Sequence, residues 1–197
     1  MAAPGQMKAK VCMVGDAAVG KTSLVRRFVF DTFSDQYQTT LGAKVVGKDV
    51  LVREETGEVP VKLTIWDIIG ETSLLPELAE SYFLNAQAIV AVCDLTRYST
   101  FERLPIWLQA VERVTGDVPK ALAVNKTDLR TEVLTLYDEH RVGQFADEVG
   151  ARWFSTSAKT GEGVEAMFAA LAQDIVEIGR EQQARARFVD SLKSDGP

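Results

Sequence analysis

The chain has 197 residues, 46% of them apolar and 25% charged, with a formal net charge of −6. That length suffices for one substantial core and falls short of two comfortable domains, and the acidic balance lacks the basic stripe of a nucleic-acid binder and suits anionic lipid poorly. No apolar run approaches a membrane span, Met1-Ala2-Ala3-Pro4-Gly5 has no signal-peptide shape, and Cys12 and Cys93, both in apolar runs, read as buried free thiols of a reducing cytoplasm rather than as a disulfide.

In chain order, residues 1–7 read as a frayed leader, 8–180 as one domain and 181–197 as a charged tail. Residues 9–14 are short, apolar and partly β-branched, which predicts a buried strand. The next eight, Gly15-Asp16-Ala17-Ala18-Val19-Gly20-Lys21-Thr22, fit the phosphate-loop pattern Gly-x-x-x-x-Gly-Lys-[Ser/Thr]. Leu24, Val25, Phe28 and Val29 then recur at helical spacing. The two glycines let backbone wrap closely around a phosphate chain, and the helix start that follows favours anions. Asp16, Ala17, Ala18, Val19, Gly20, Lys21, Thr22 and Ser23 are the expected phosphate-binding set, with Lys21 bridging β- and γ-phosphates and the Thr22 hydroxyl a ligand of Mg²⁺, a cation that favours hard oxygens.

Residues 31–42 are polar and aperiodic, the mark of an exposed functional loop, and Thr40 within it is a candidate to complete the Mg²⁺ shell. Residues 43–53 and 59–66 predict a hairpin, because Val61, Leu63 and Ile65 alternate with Lys62, Thr64 and Trp66 and Gly57 suits a turn. Its second strand ends at Asp67, the expected second Mg²⁺ anchor through water. Gly70 follows at a spacing that lets its amide meet a γ-phosphate. Residues 73–84 read as a poorly patterned helix. Strands are predicted at 87–93, 120–124 and 152–155, and helices at 99–114, 137–149 and from near 162, the last with Val164, Phe168, Leu171, Ile175 and Ile178 on one face and fraying beyond Gly179. The alternation and the hairpin imply an α/β fold, a doubly wound, mostly parallel six-stranded sheet with one antiparallel edge strand and helices on both faces, and the motif at 15–22 makes it of the P-loop NTPase type. Ligands bind beyond the carboxyl ends of such strands, where Gly15, Asp67, Asn125 and Ser157 all fall.

Asn125-Lys126-Thr127-Asp128 selects the base. A carboxylate accepts two hydrogen bonds from guanine N1–H and N2, whereas adenine offers an acceptor at N1 and no amine at C2. Asp128 is the expected base reader, Lys126 lies over the ring and Asn125 braces the phosphate loop. The Ala158 amide is expected at guanine O6, supported by Ser157 and Lys159. His140, Trp107, Trp153, Arg26 and Arg27 read as solvated or packing residues.

The chain resembles a small GTPase of the Ras superfamily over nearly its whole length. Residues 15–22, Thr40, 67–70, 125–128 and 156–159 match that family's five motifs, and Thr39-Thr40-Leu41-Gly42, Lys62-Leu63-Thr64-Ile65-Trp66-Asp67 and Ala79-Glu80-Ser81-Tyr82-Phe83 are most similar to the Rab branch. The resemblance implies GTP and GDP binding with Mg²⁺, GTP hydrolysis, Phe33 packed on the guanine, and nucleotide-sensing switches at 32–42 and 69–80 that protein effectors and regulators read. Lys21, Thr40, Gly70 and Glu71 are the implied catalytic set.

Two departures qualify it. Glu71 stands where the family usually has the Gln that orients the attacking water. A carboxylate beside the γ-phosphate repels it, or acts as a general base if its pKa is raised, and the expectation is slow hydrolysis. The alternative is a scaffold that binds guanine nucleotide with negligible hydrolysis, while a P-loop kinase or ATPase is disfavoured by Asp128 and by the lack of an Arg-rich lid segment. Ile68 and Ile69 replace the usual Thr-Ala and serve either core packing or a hydrophobic partner surface. The chain ends Ser194-Asp195-Gly196-Pro197 without a cysteine, so no direct lipid anchor is expected. A cytoplasmic monomer is expected, with recruitment to a membrane through a partner as the alternative.

Overall fold

Strands covered on both faces are apolar at nearly every position, and three such runs form the middle of one sheet. The computed structural model describes residues 7–34, 40–55, 57–71, 81–131 and 138–194. Its strands are β1 (Met7–Val14), β2 (Ala43–Glu54), β3 (Gly57–Ile68), β4 (Ala88–Asp94), β5 (Lys120–Asn125) and β6 (Arg152–Ser155). They assemble in the order β2-β3-β1-β4-β5-β6. β2 and β3 pair antiparallel and every other neighbour pair is parallel, so β2 is the antiparallel edge. This is the predicted doubly wound α/β architecture.

The period of two along each strand divides the core into two layers. Val11 and Met13 of β1, Val90 and Val92 of β4, and Ala121 and Ala123 of β5 face one side. There they meet Leu24, Val25 and Phe28 of α1 (Lys21–Phe30) and Phe168, Leu171 and Ile175 of the last helix. Cys12, Val14, Ile89, Ala91, Cys93, Leu122 and Val124 face the other side, against Leu104, Trp107, Leu108 and Val111 and against Val142 and Ala146. Neither cysteine forms a disulfide and both are buried, and burial pushes the Cys12 thiol up to about 12.

Several boundaries differ from the sequence reading. The helix predicted over 99–114 is two helices, α2 (Tyr98–Glu102) and α3 (Leu104–Thr115). Pro105 fits the break, since it has no N–H to give the preceding turn and stands in the first turn of α3, where none is needed. The helix predicted from Tyr137 is α4 (Glu139–Glu148), because the Asp138 side chain accepts the Arg141 amide at 2.9 Å as an N-cap; Tyr137 itself lies outside the described residues. α5 (Val164–Ser194) remains helical past Gly179, where fraying was expected. Ile178, expected in the core, is exposed, and it is Gly179 beside it that approaches the sheet, at Met7 of β1. The predicted helix over 73–84 lies largely outside the described residues; 81–83 are helical. No helix among the described residues is long and apolar enough to cross a membrane.

Candidate nucleotide-binding site

The loop between β1 and α1 is shaped by positions that side chains tolerate poorly. Gly15 has φ of 131°, and a Cβ there would lie 2.2 Å from the Val92 carbonyl oxygen of β4. Gly20 has φ of 103° at the start of α1, where a Cβ would lie 2.2 Å from Asn125 Nδ2. Ala18, with φ of 62°, holds the left-handed conformation despite its side chain. No side chain caps α1, which leaves its first amides available to an anion.

The loop's carbonyls are meanwhile engaged. Lys21 Nζ donates to Gly15 O at 2.6 Å and Asp16 O at 2.9 Å. Arg97 Nη2 donates to Ala17 O at 2.8 Å, and Asn125 Nδ2 donates to Val19 O at 2.8 Å. This favours presentation of the N–H groups to a ligand. Burial pushes the Lys21 ammonium down to about 8, opposed by Asp67 and Asp16 and reinforced by Arg97. The Asp16 side chain turns away from the crevice, accepting from Trp107 Nε1 at 2.9 Å and Arg103 Nη1 at 3.2 Å. Trp107 is therefore a tether of the loop to α3 as well as a packing residue.

Beside this loop three hard oxygens converge. Thr22 Oγ1 donates to Asp67 Oδ2 at 2.5 Å and lies 3.0 Å from Thr40 Oγ1. Asp67 Oδ1 is buried without a hydrogen-bond partner. A buried carboxylate oxygen left unsatisfied next to two threonine hydroxyls fits a hard divalent cation such as Mg²⁺. Burial raises the Asp67 pKa, opposed first by the Thr22 hydrogen bond and then by the Lys21 charge. Gly70 is pressed onto the same loop, since a Cβ there would lie 2.5 Å from Lys21 Nζ and 2.6 Å from the Ala17 amide nitrogen.

At the far end lie the loops after β5 and β6. Asn125 is buried and joins them, with its Oδ1 accepting from Thr156 Oγ1 and the Ala158 amide, each at 3.3 Å. In this arrangement the Ala158 amide, expected at guanine O6, is turned to Asn125. Lys126 adopts φ of 69° and donates from Nζ to Asp94 Oδ2 at 2.6 Å. Asp128 sits in a short 3₁₀ turn (Thr127–Leu129), where the Ser157 hydroxyl donates to its Oδ1 at 2.6 Å. Arg27, read from sequence as solvated, instead braces this end. Its Nε donates to Ala158 O at 2.9 Å and its Nη2 to Lys159 O at 2.8 Å.

These loops border one cavity of about 660 Å³, within the usual range for small-molecule sites. Of the expected residues, Ala17, Ala18, Gly20, Lys21, Thr22, Ser23, Phe33, Thr40, Gly70, Glu71, Asn125, Lys126, Asp128, Ala158 and Lys159 line it. Asp16, Val19, Asp67 and Ser157 stand behind the wall as supports. Arg26, Ser34, Ile68, Ile69 and Leu129 line it too. Ile68 is buried in the second core layer and Ile69 packs against that layer, so of the two roles weighed for them the geometry favours core packing. Sequence reasoning missed Arg27, Asp94, Arg97 and the polar bonds of Trp107. Only the Trp107 indole N–H, which needs a partner when buried, offered a signal.

A loop shaped to present its amides, facing the loops after β5 and β6 across the carboxyl ends of a parallel sheet, places the cavity where open α/β sheets bind ligands. Residues 10–177 match the model of the Ras family. The chain is 36% identical over 177 residues to "GTP-binding protein ypt5" of Schizosaccharomyces pombe, covering 89% of this chain and 82% of that protein. It is 35% identical over 172 residues to "Ras-related protein Rab-21" of Geodia cydonium, covering 87% and 72%. The chain belongs to the Ras family, and its relatives place it among small GTPases of the Rab branch. Members of this family bind GTP and GDP, generally with Mg²⁺, and act through effectors and regulators.

Proposed function

We propose that this chain is a slow GTP-hydrolysing switch. The observation that carries the reading is the convergence of Lys21, Thr22, Thr40 and Asp128 on one cavity, with the Asp67 carboxylate held behind Thr22. Lys21 and the amides of Ala17, Ala18, Val19, Gly20, Thr22 and Ser23 hold the phosphates, with the Asp16 side chain as a tether behind them. Thr22, Thr40 and, through water, Asp67 hold the cation, which neutralises charge on the phosphates when bound. Asp128 reads the guanine edge, Phe33 and Lys126 cover its faces, and Ser157, Ala158 and Lys159 complete the base pocket. The Gly70 amide and Thr40 sense the γ-phosphate, so that its loss frees both contacts for partners to read; of the two expected switches, 32–42 and 69–80, residues 35–39 and 72–80 lie outside the described residues.

Glu71 sets the speed. It is exposed on the cavity wall, and its negative charge repels the anionic γ-phosphate, while a carboxylate has no N–H to donate there. Glu71→Gln should raise the single-turnover hydrolysis rate about tenfold, read by phosphate release from preloaded GTP. An unchanged rate contradicts the assigned role of Glu71. The second reading, a guanine-nucleotide scaffold, rests on the same residue and is favoured if neither protein turns over.

A further inference from the structure

The guanine loop and the phosphate loop are joined by a device that the motifs do not include. Asp94, the last residue of β4, is fully buried. Its Oδ1 accepts from the Thr96 amide at 2.9 Å and the Thr96 hydroxyl at 2.7 Å. Its Oδ2 receives two cations, Lys126 Nζ at 2.6 Å and Arg97 Nε at 3.0 Å. Arg97 then reaches on to Ala17 O at 2.8 Å. The turn is itself fixed, since Thr100 Oγ1 accepts the Asp94 amide at 2.9 Å and donates to Arg97 O at 2.7 Å. Burial opposes ionisation of Asp94, yet the hydrogen bonds from Lys126 and Thr96 outweigh it and lower its pKa. The group is thus a carboxylate that orients two cations.

Resting on the reading that guanine nucleotide occupies this cavity, we propose that Asp94 is a positioning residue that couples the base-binding loop to the phosphate loop, through Lys126 on one side and Arg97 and the Ala17 carbonyl on the other. Neither Asp94 nor Arg97 lines the cavity, so both act through the residues they hold. Lys126 pays backbone strain at positive φ, and Asp94 supplies the compensating charge-assisted bond. Arg97 suits its task because a guanidinium serves two acceptors in fixed geometry, which a lysine ammonium on a flexible stem does less well.

The test is dissociation of fluorescent N-methylanthraniloyl-GDP from the full chain, chased with excess GDP. Asp94→Asn keeps the shape and removes the charge, and should speed release about tenfold. Arg97→Ala should speed it about fivefold. Because Arg97 is positioned by Asp94, the double variant should release no faster than Asp94→Asn alone; factors that multiply overturn the coupling. Arg97 is 43% exposed, so its variants test the proposal even if Asp94→Asn does not fold. Arg97→Lys should release as fast as Arg97→Ala, and restoration of the wild-type rate would reduce Arg97 to a charge effect and overturn its bridging role. Failure of the wild-type chain to take up the probe sinks the nucleotide reading itself. Normal uptake with unaltered release in every variant sinks only the coupling.

Discussion

Asp128→Asn should shift the preferred base from guanine to xanthine. The carboxylate accepts from both N1–H and N2 of guanine, whereas an asparagine turns an N–H₂ donor toward one of those donors. Losing one hydrogen bond to a charged group, with donor left facing donor, and removing the charge from the other bond costs about 4 kcal/mol, or about a thousandfold in GDP affinity. Xanthine carries a carbonyl at C2, which the new amide can satisfy. Ser157 Oγ now holds Asp128 Oδ1 at 2.6 Å, and an asparagine oxygen can accept that same bond, so the side chain keeps its orientation. Competition between GDP and xanthosine diphosphate reads the outcome. A variant that still prefers GDP contradicts the assignment of Asp128.

Gly15→Ala should be the most destabilising small substitution in the phosphate loop. The new methyl would lie 2.2 Å from Val92 O and 3.2 Å from Val92 C, both backbone atoms of a buried strand. It would also force a side chain to φ of 131°. Strain and overpacking together cost roughly 3–5 kcal/mol, which for a chain of this size lowers the melting temperature by about 6–20 °C. Gly57 is the control. It has a similar φ of 132° with nothing within 4 Å of an added Cβ, so alanine there isolates the conformational cost. Equal melting temperatures for the two variants contradict the claim that β4 dictates the glycine at position 15.

The fold and most of the cavity wall were legible because they rest on local signals. Strand period, the spacing of Gly20 and Lys21, and the polar residues directly after β5 and β6 each sit in a short window. What escaped notice depends on contacts distant in the chain. Arg27 faces carbonyls at positions 158 and 159, and its place on the polar side of α1 looks like any solvated arginine. Asp94 ends an apolar strand and Asp67 stands one residue before the end of another, and only the tertiary arrangement shows that Asp67 meets the Thr22 hydroxyl and Asp94 the Lys126 ammonium. The helix break at Arg103 was legible in Pro105 and was overridden by the apolar period around it. The added length of α5 was not, because its charge density suits an exposed helix and a frayed tail equally.

The central claim is that this crevice selects guanine nucleotide. Its most direct test is to denature freshly purified protein and identify the released nucleotide by chromatography. The account predicts a guanine nucleotide, as GDP where the chain turns over and as GTP where Glu71 blocks turnover. Release of adenine nucleotide alone would contradict the base assignment and the function built on it.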